Sequence, residues 1–281
     1  MTGPKRVLVT NDDGIDSPGL KELARVPKEL GLTPVIAAPS INWSGASAAL
    51  GPLTNPDHVS VSSINLDGVE EIETFSVDAP PALIVMLAML GGFGDPPDYL
   101  ISGINKGPNT GRSTMYSATV ATALVSSKFD CPGLAVSLGD GREEEGRKDV
   151  FLSGNDLHAK ESDQWEWPTA SAIAAPLLSW LTSAPSRTVL NLNVPNLKLA
   201  EVKGLSQCGL APLGGVRTSI VGKDETGIHI DLLPTDGEIP EGTDSAKLRE
   251  GYATVTPLVP TAATDTDLPL QDWSKELDFK I

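Results

Sequence analysis

Cysteine, histidine, aromatic residues and positive charge are all scarce in this chain. The two cysteines, Cys131 and Cys208, form no CxxC pair, which argues against a disulfide-stapled scaffold and against common zinc spacings. The three histidines, His58, His158 and His229, fall in stretches that read as strand edge, loop and C-terminal appendage, so they read as surface or packing residues and not as catalysts. Lys and Arg total 21 against 37 Asp and Glu, a net charge of −16. A balance this acidic excludes long nucleic acid and anionic membrane surface as natural partners. A small anion remains possible as a substrate, provided something positive receives it, and a bound divalent cation would do so. No stretch approaches the roughly 18 apolar residues a membrane span requires. The first residues, Met-Thr-Gly-Pro-Lys-Arg, lead directly into a strand with no apolar leader region, so the expectation is a soluble, cytoplasmic protein.

What is present is 281 residues at 40% hydrophobic content, ample for a sizeable core. The chain is organised around Val7-Leu-Val-Thr-Asn-Asp-Asp-Gly14. An apolar strand followed by a helix opens an α/β sheet, and ligands in such sheets sit beyond the carboxyl ends of the strands. Asp12 and Asp13 stand at that end. Adjacent carboxylates repel each other unless a cation joins them. Residues of this kind also make ordinary turns, so a metal site and a solvated turn both fit this stretch alone.

Downstream, Ser17 and Pro18 suit an N-cap and a first helical position, with Leu20, Leu23, Ala24 and Leu30 on one face and Pro27 bending or shortening the helix. Thr33–Ala38 reads as a strand and 40–47 as a small-residue loop. Residues 51–78 read as short antiparallel strands and 82–90 as an apolar helix. Asp98–Asn105 is a strand ending in a turn rich in Gly, Pro and Asn, and Tyr116–Val125 is a helix whose first turn carries Ser117 and Thr119. Free N–H groups at such a helix start favour phosphate. Pro132–Leu138 is a further parallel strand, 139–166 a charged loop, Pro168 the start of a long helix, and Thr188–Val194 a core strand. Residues 1–200 therefore read as an α/β core with a mostly parallel sheet. Residues 201–260 read as a β-rich appendage whose hairpins need a second subunit for cover, and 261–281 as an acidic tail.

The ordered set Thr-Asn-Asp-Asp-Gly (10–14), Pro-Gly-Leu (18–20), Ala-Pro…Ser-Gly-Ala-Ser (38–47), Ile-Ser-Gly-Ile-Asn…Gly-Pro-Asn (101–109), Tyr-Ser-Ala-Thr-Val-Ala (116–121), Leu-Asn-Leu-Asn-Val-Pro (190–195) and Gly-Thr-Asp…Glu-Gly-Tyr…Thr-Pro-Leu (242–258) resembles the SurE family of survival-protein nucleotidases. The resemblance implies a Rossmann-like three-layer core, a C-terminal β region that swaps between subunits of a homodimer or homotetramer, and hydrolysis of nucleoside 5′- or 3′-monophosphates. It places one divalent ion per subunit, Mg²⁺ or Mn²⁺, on Asp12, Asp13, Ser44 and Asn105. It puts Asn109, Ser117 and Thr119 on the phosphate side, with Asn11 beside the metal. The chain departs from the family pattern at Ser40 and Trp43, at Ala118 in place of a glycine, and at Asp78-Ala-Pro-Pro.

The residue types suit this chemistry independently of the family. Carboxylate, amide and hydroxyl oxygens are the ligands a hard dication prefers. A dication can hold a phosphate oxygen and acidify water. Asn109, Ser117 and Thr119 can donate to the transferred phosphoryl group. Attack by activated water is favoured over an aspartyl-phosphate route, because both carboxylates are committed to the ion and no Asp-x-Asp is present. Lys106 either touches phosphate or is solvated, and Trp43 either stacks on a base or covers the core. Two alternatives remain: a nucleotide-binding regulatory module with a decayed site, and a metal-dependent sugar-nucleotide transferase.

Overall fold

The computed structural model describes residues 4–51, 53, 55, 57–139, 165–212, 216–234 and 238–260. His158, the charged loop over most of 139–166 and the acidic tail lie outside the described residues.

The strand after Lys5 forms because Val7, Leu8 and Val9 are apolar in succession and both of their faces are covered, as in parallel sheets. This strand, β1 (Arg6–Thr10), packs Val7 and Val9 into one apolar layer and Leu8 into the other. The first layer is built with α1 (Pro18–Glu29) and α4 (Trp167–Leu181), the second with α2 (Pro81–Met89) and α3 (Ala118–Ser127). Helices on both faces of one sheet make the three-layer α/β fold expected from the sequence.

The sheet has nine strands in the order β3-β4-β2-β1-β5-β6-β7-β11-β8. Their ranges are β2 Thr33–Pro39, β3 Val61–Ile64, β4 Thr74–Val77, β5 Tyr99–Lys106, β6 Gly133–Leu138, β7 Val189–Val194, β8 Leu205–Gln207 and β11 Ala253–Leu258. From β4 through β7 every neighbouring pair is parallel. β3 is antiparallel to β4, and β11 to β7. The region 51–78 thus holds one antiparallel pair, with β4 also joined in parallel to β2.

The chain runs outward from β1 to β2 and β4, then returns to β5 on the other side of β1. This reversal makes the gap between β1 and β5 a topological switch point. Open α/β sheets bind their ligands at such points, outside the carboxyl ends of the strands.

Several local expectations shift. Ser17 is the N-cap residue of α1, but its side chain makes no cap hydrogen bond, and Pro27 sits in the last turn, where the helix ends two residues later. The stretch from Tyr116 divides into a 3₁₀ turn, Gly111–Tyr116, and α3, because the Ser117 Oγ accepts from the Val120 N–H and so starts the α-helix at Ala118. Part of 201–260 belongs to the central sheet, since β11 and β8 extend it beyond β7. The strands β9 (Val216–Asp224) and β10 (Gly227–Pro234) form a separate two-stranded antiparallel hairpin. Its turn is held by Asp224, whose carboxyl is drawn down to about 2 by the Thr226 hydroxyl first and by His229 second.

Candidate active site

Asp12 lies where β1 ends, and the turn that carries it is fixed by its neighbours. Gly14 adopts φ +104°, a conformation glycine enters without strain. The Asn11 Nδ2 donates to the Gly14 carbonyl at 2.9 Å. Trp43 donates its backbone N–H to the Asp12 carbonyl at 2.7 Å, and Ile15 donates to Pro39 at 2.8 Å. These two bonds draw the loop after β2 against the carboxylate turn. The Ser44 N–H donates to Asn42 Oδ1 at 2.7 Å, which bends that loop back on itself. Ser47 Oγ donates to the Met115 carbonyl at 2.7 Å, linking the loop's far end to the 3₁₀ turn before α3.

Asn105 is aimed by an irregularity in β5. The β5–β6 register shifts between Ser102 and Asn105. Gly103 has φ +129°, and a Cβ there would come within 2.2 Å of the Val136 carbonyl, so only glycine lets the two strands approach this closely. Past the shift, Asn105 Nδ2 donates to the Gly107 carbonyl at 2.7 Å, and its Oδ1 is the atom left for a ligand.

An open cleft of about 340 Å³ results, lined by Asp12, Ser44, Gly45, Asn105, Lys106, Gly107, Pro108, Asn109 and Ser117. Three of the four residues expected to hold metal therefore share one cleft. The fourth, Asp13, is half-buried beside Asp12 but does not line it. Asn109 and Ser117 line it as well. Thr119 does not. It is fully buried and donates its hydroxyl to Asp12 Oδ1, so it meets the carboxylate from behind.

Asp12 is 2% exposed. Burial raises its pKa above the ordinary carboxylate value, and hydrogen bonds from the Thr119 hydroxyl and nearby backbone N–H groups offset this only in part. No cationic side chain figures among the groups acting on it. Asn11 Oδ1, also fully buried, makes no hydrogen bond. A buried carboxylate without a counter-cation beside an orphaned amide oxygen is the arrangement a hard cation would complete, and the other oxygens of the cleft are of the matching kind. Among the described residues no cluster of three or more His, Cys, Asp or Glu side chains occurs, so this oxygen-rich set differs from the N/S sets typical of zinc.

The phosphate-side loop is held from further away. Asn193 Oδ1 accepts the Asn109 N–H at 2.7 Å, and the Asn109 carbonyl accepts from Asn191 Nδ2 at 2.8 Å and Asn193 Nδ2 at 3.0 Å. Asn109 Nδ2 donates to Ser137 Oγ at 2.9 Å, which leaves its second amide hydrogen for the cleft. Gly111 N–H donates to Asp244 Oδ2 at 2.8 Å. The asparagines of β7 and Asp244 at the start of α5 (Asp244–Arg249) were not assigned these roles from sequence. A usable signal existed for the first pair. Two asparagines two apart in an apolar strand share one face, and when buried they need partners.

Trp43 is half-buried with its indole Nε1 enclosed, which favours a covering role over a ring open to a base. His58 is exposed at an isolated bridge and His229 pairs with Asp224 on the hairpin, both remote from the cleft-lining set. Cys131 and Cys208 are buried free thiols, and burial pushes the Cys131 thiol up to about 12, so it is unreactive. No helix among the described residues is long and apolar enough to cross a membrane.

Comparison with known proteins agrees with this geometry. The model of a family described as survival protein SurE matches residues 7–213. A protein of Legionella pneumophila named 5′-nucleotidase SurE is 34% identical over 258 residues, covering 90% of each chain. One of the same name from Actinobacillus pleuropneumoniae serotype 5b is 33% identical over 257 residues, covering 90% of this chain and 92% of its own. The crystal structure of the SurE protein from Aquifex aeolicus superposes with a TM-score of 0.69 at 27% identity, covering 98% of this chain and all of the other.

Proposed function

The chain belongs to the SurE family, and from that premise we propose that it is a metal-dependent phosphatase that hydrolyses nucleoside 5′- or 3′-monophosphates to nucleoside and phosphate. The observation that carries the proposal is the convergence of Asp12, Ser44, Asn105, Asn109 and Ser117, from four separate segments, on one cleft at the β1/β5 switch point. Asp12, Asp13, Ser44 and Asn105 would hold one divalent ion, Mg²⁺ or Mn²⁺, per subunit. Such an ion, when bound, withdraws electron density from a phosphate oxygen and lowers the pKa of water.

The chain's own groups supply the rest. Asn109 presents an amide N–H and Ser117 a hydroxyl to the phosphoryl oxygens, where negative charge builds. The Ser117 Oγ is already fixed by the Val120 N–H, so its O–H is directed into the cleft at little entropic cost. Ala118 N–H, in the first turn of α3, has no intrahelical acceptor and adds a fixed dipole. Thr119 orients the Asp12 carboxylate. In the reaction an oxygen of water bonds to phosphorus and the P–O ester bond breaks. A carboxylate of the Asp12–Asp13 pair takes the water proton, and the leaving alkoxide ends protonated as the nucleoside hydroxyl.

The test is phosphate release from a panel of mononucleotides with Mg²⁺ or Mn²⁺, with and without chelator. Release that stops with chelator and returns with added ion is the expected result. Release indifferent to chelator removes the metal from the scheme, and absence of release throughout favours a pure nucleotide binder.

We further propose that a second copy of the chain covers the β9–β10 hairpin. Ile220, Val221, Ile228 and Ile230 are exposed on it, between 49% and 68% of their surface. A lone two-stranded hairpin is marginal in water, and an apolar one invites burial. Light scattering should give a dimer or tetramer for the wild type and a smaller species for Ile220→Ser with Ile230→Ser. A monomeric wild type rules this out.

A further inference from the structure

Nine residues line the cleft, and among these described residues only Lys106 is basic. A doubly charged phosphate monoester approaching a chain of net charge −16 needs a positive group to meet it. Lys106 is the last residue of β5, directly after Asn105, and its backbone is therefore fixed by the sheet. Its ammonium is also held in place. The Nζ lies 5.6 Å from the centroid of the Trp165 ring, within cation–π range. Trp165 in turn stacks on Trp167, centroids 5.5 Å apart and planes 22° from parallel. Trp167 opens α4, and its ring lies against the start of α1, where a Cβ added at Gly19 would come within 3.0 Å of it. The two indoles thus form a pile seated on two core helices, with the lysine at its cleft end.

We propose that Lys106 is the residue that receives the substrate phosphate dianion in this cleft, and that Trp165 is its positioning residue; the inference rests on the phosphatase reading above. Lysine acts here as a compact point charge, with a flexible stem that would otherwise lose rotamer freedom on binding. Contact with Trp165 fixes that stem beforehand and leaves the ammonium hydrogens for the phosphate oxygens. The site consequently favours dianionic monoesters over monoanionic diesters, because only the former leave charge for Lys106 after the oxygen-liganded side of the cleft is satisfied.

The experiment uses the full chain with Mn²⁺ present. Inorganic phosphate is titrated calorimetrically into the wild type, Lys106→Met, Lys106→Arg, Trp165→Leu and Trp165→Phe, and kcat and KM for a nucleoside monophosphate are measured in parallel. Lys106→Met should weaken phosphate binding and raise KM by about tenfold or more, as loss of a charged hydrogen-bond donor implies. Its kcat should change less than KM. Trp165→Leu keeps the charge and should show a loss of roughly two- to fivefold, the scale of an exposed cation–π contact. Trp165→Phe and Lys106→Arg should restore most of each loss, which a merely structural role for either residue does not predict. Unchanged phosphate affinity in Lys106→Met overturns the inference, as does a wild type that binds no phosphate. If no monoester is turned over yet Lys106→Met still weakens phosphate binding, the reaction assignment fails and the role of Lys106 stands.

Discussion

Asp12→Asn should lower mononucleotide turnover on the order of a thousandfold, the scale expected when a cation's charge stabilisation of the transition state is lost, while the metal-free variant melts no lower than the metal-free wild type. The two halves of this expectation have one cause. Asp12 is a buried carboxylate with no cation beside it among the described residues, and burial raises its pKa. In the metal-free protein its charge opposes folding, and an amide of the same shape removes that opposition while still accepting from the Thr119 hydroxyl.

The pH dependence follows in sign. A carboxyl whose folded pKa lies above its unfolded value contributes stability at pH below the unfolded value, and this contribution disappears as pH rises through the folded value. Metal-free wild type should therefore fall behind Asp12→Asn in melting temperature as pH rises from the ordinary carboxylate range. Added dication should reverse the order, because the ionised carboxylate then has a partner. Thermal denaturation of both proteins across pH, with chelator and with Mg²⁺ or Mn²⁺, measures all of this. Near-wild-type turnover in the variant, or a clear drop in its metal-free melting temperature, removes Asp12 from the role assigned to it.

The second large effect is structural and reaches the site from the far end of the chain. Asp244 is fully buried. Its carboxylate accepts from the backbone N–H groups of Gly111, Ala211 and Ser245, each at 2.8 Å. Asp244→Ala leaves the Gly111 and Ala211 donors buried without an acceptor, at about 1–3 kcal/mol for each. The expected loss is roughly 3–5 kcal/mol, or on the order of 10 °C in melting temperature for a chain of this size. Because Gly111 is two residues from Asn109, turnover at 25 °C should fall as well, with the fraction folded checked by circular dichroism. Asp244→Asn keeps one acceptor oxygen and should lose about half as much. A change under about 1 kcal/mol in Asp244→Ala would show that the loop does not depend on this anchor.

The sequence alone was informative wherever the signal was local. Val7–Val9 could only be a strand covered on both faces, and the carboxylates at its end marked the ligand side of the sheet before any strand order was known. Oxygen-bearing residues at strand ends, Asn105 and Asn109 after β5 and Ser117 before α3, were legible for the same reason, since turn chemistry and helix starts are written within a few residues. Tertiary structure decided everything that depends on distant partners. Strand order put the switch point between β1 and β5 and so brought Asp12 and Asn105 into one cleft. It carried β11 and β8 from the expected appendage into the central sheet. Burial turned Thr119 from a phosphate donor into a support for Asp12. Asn191, Asn193 and Asp244 gained their roles only through hydrogen bonds spanning 82, 84 and 133 residues. Periodicity and turn chemistry act over one or two turns of chain, whereas a buried polar group is satisfied by whichever partner the packed layers place against it.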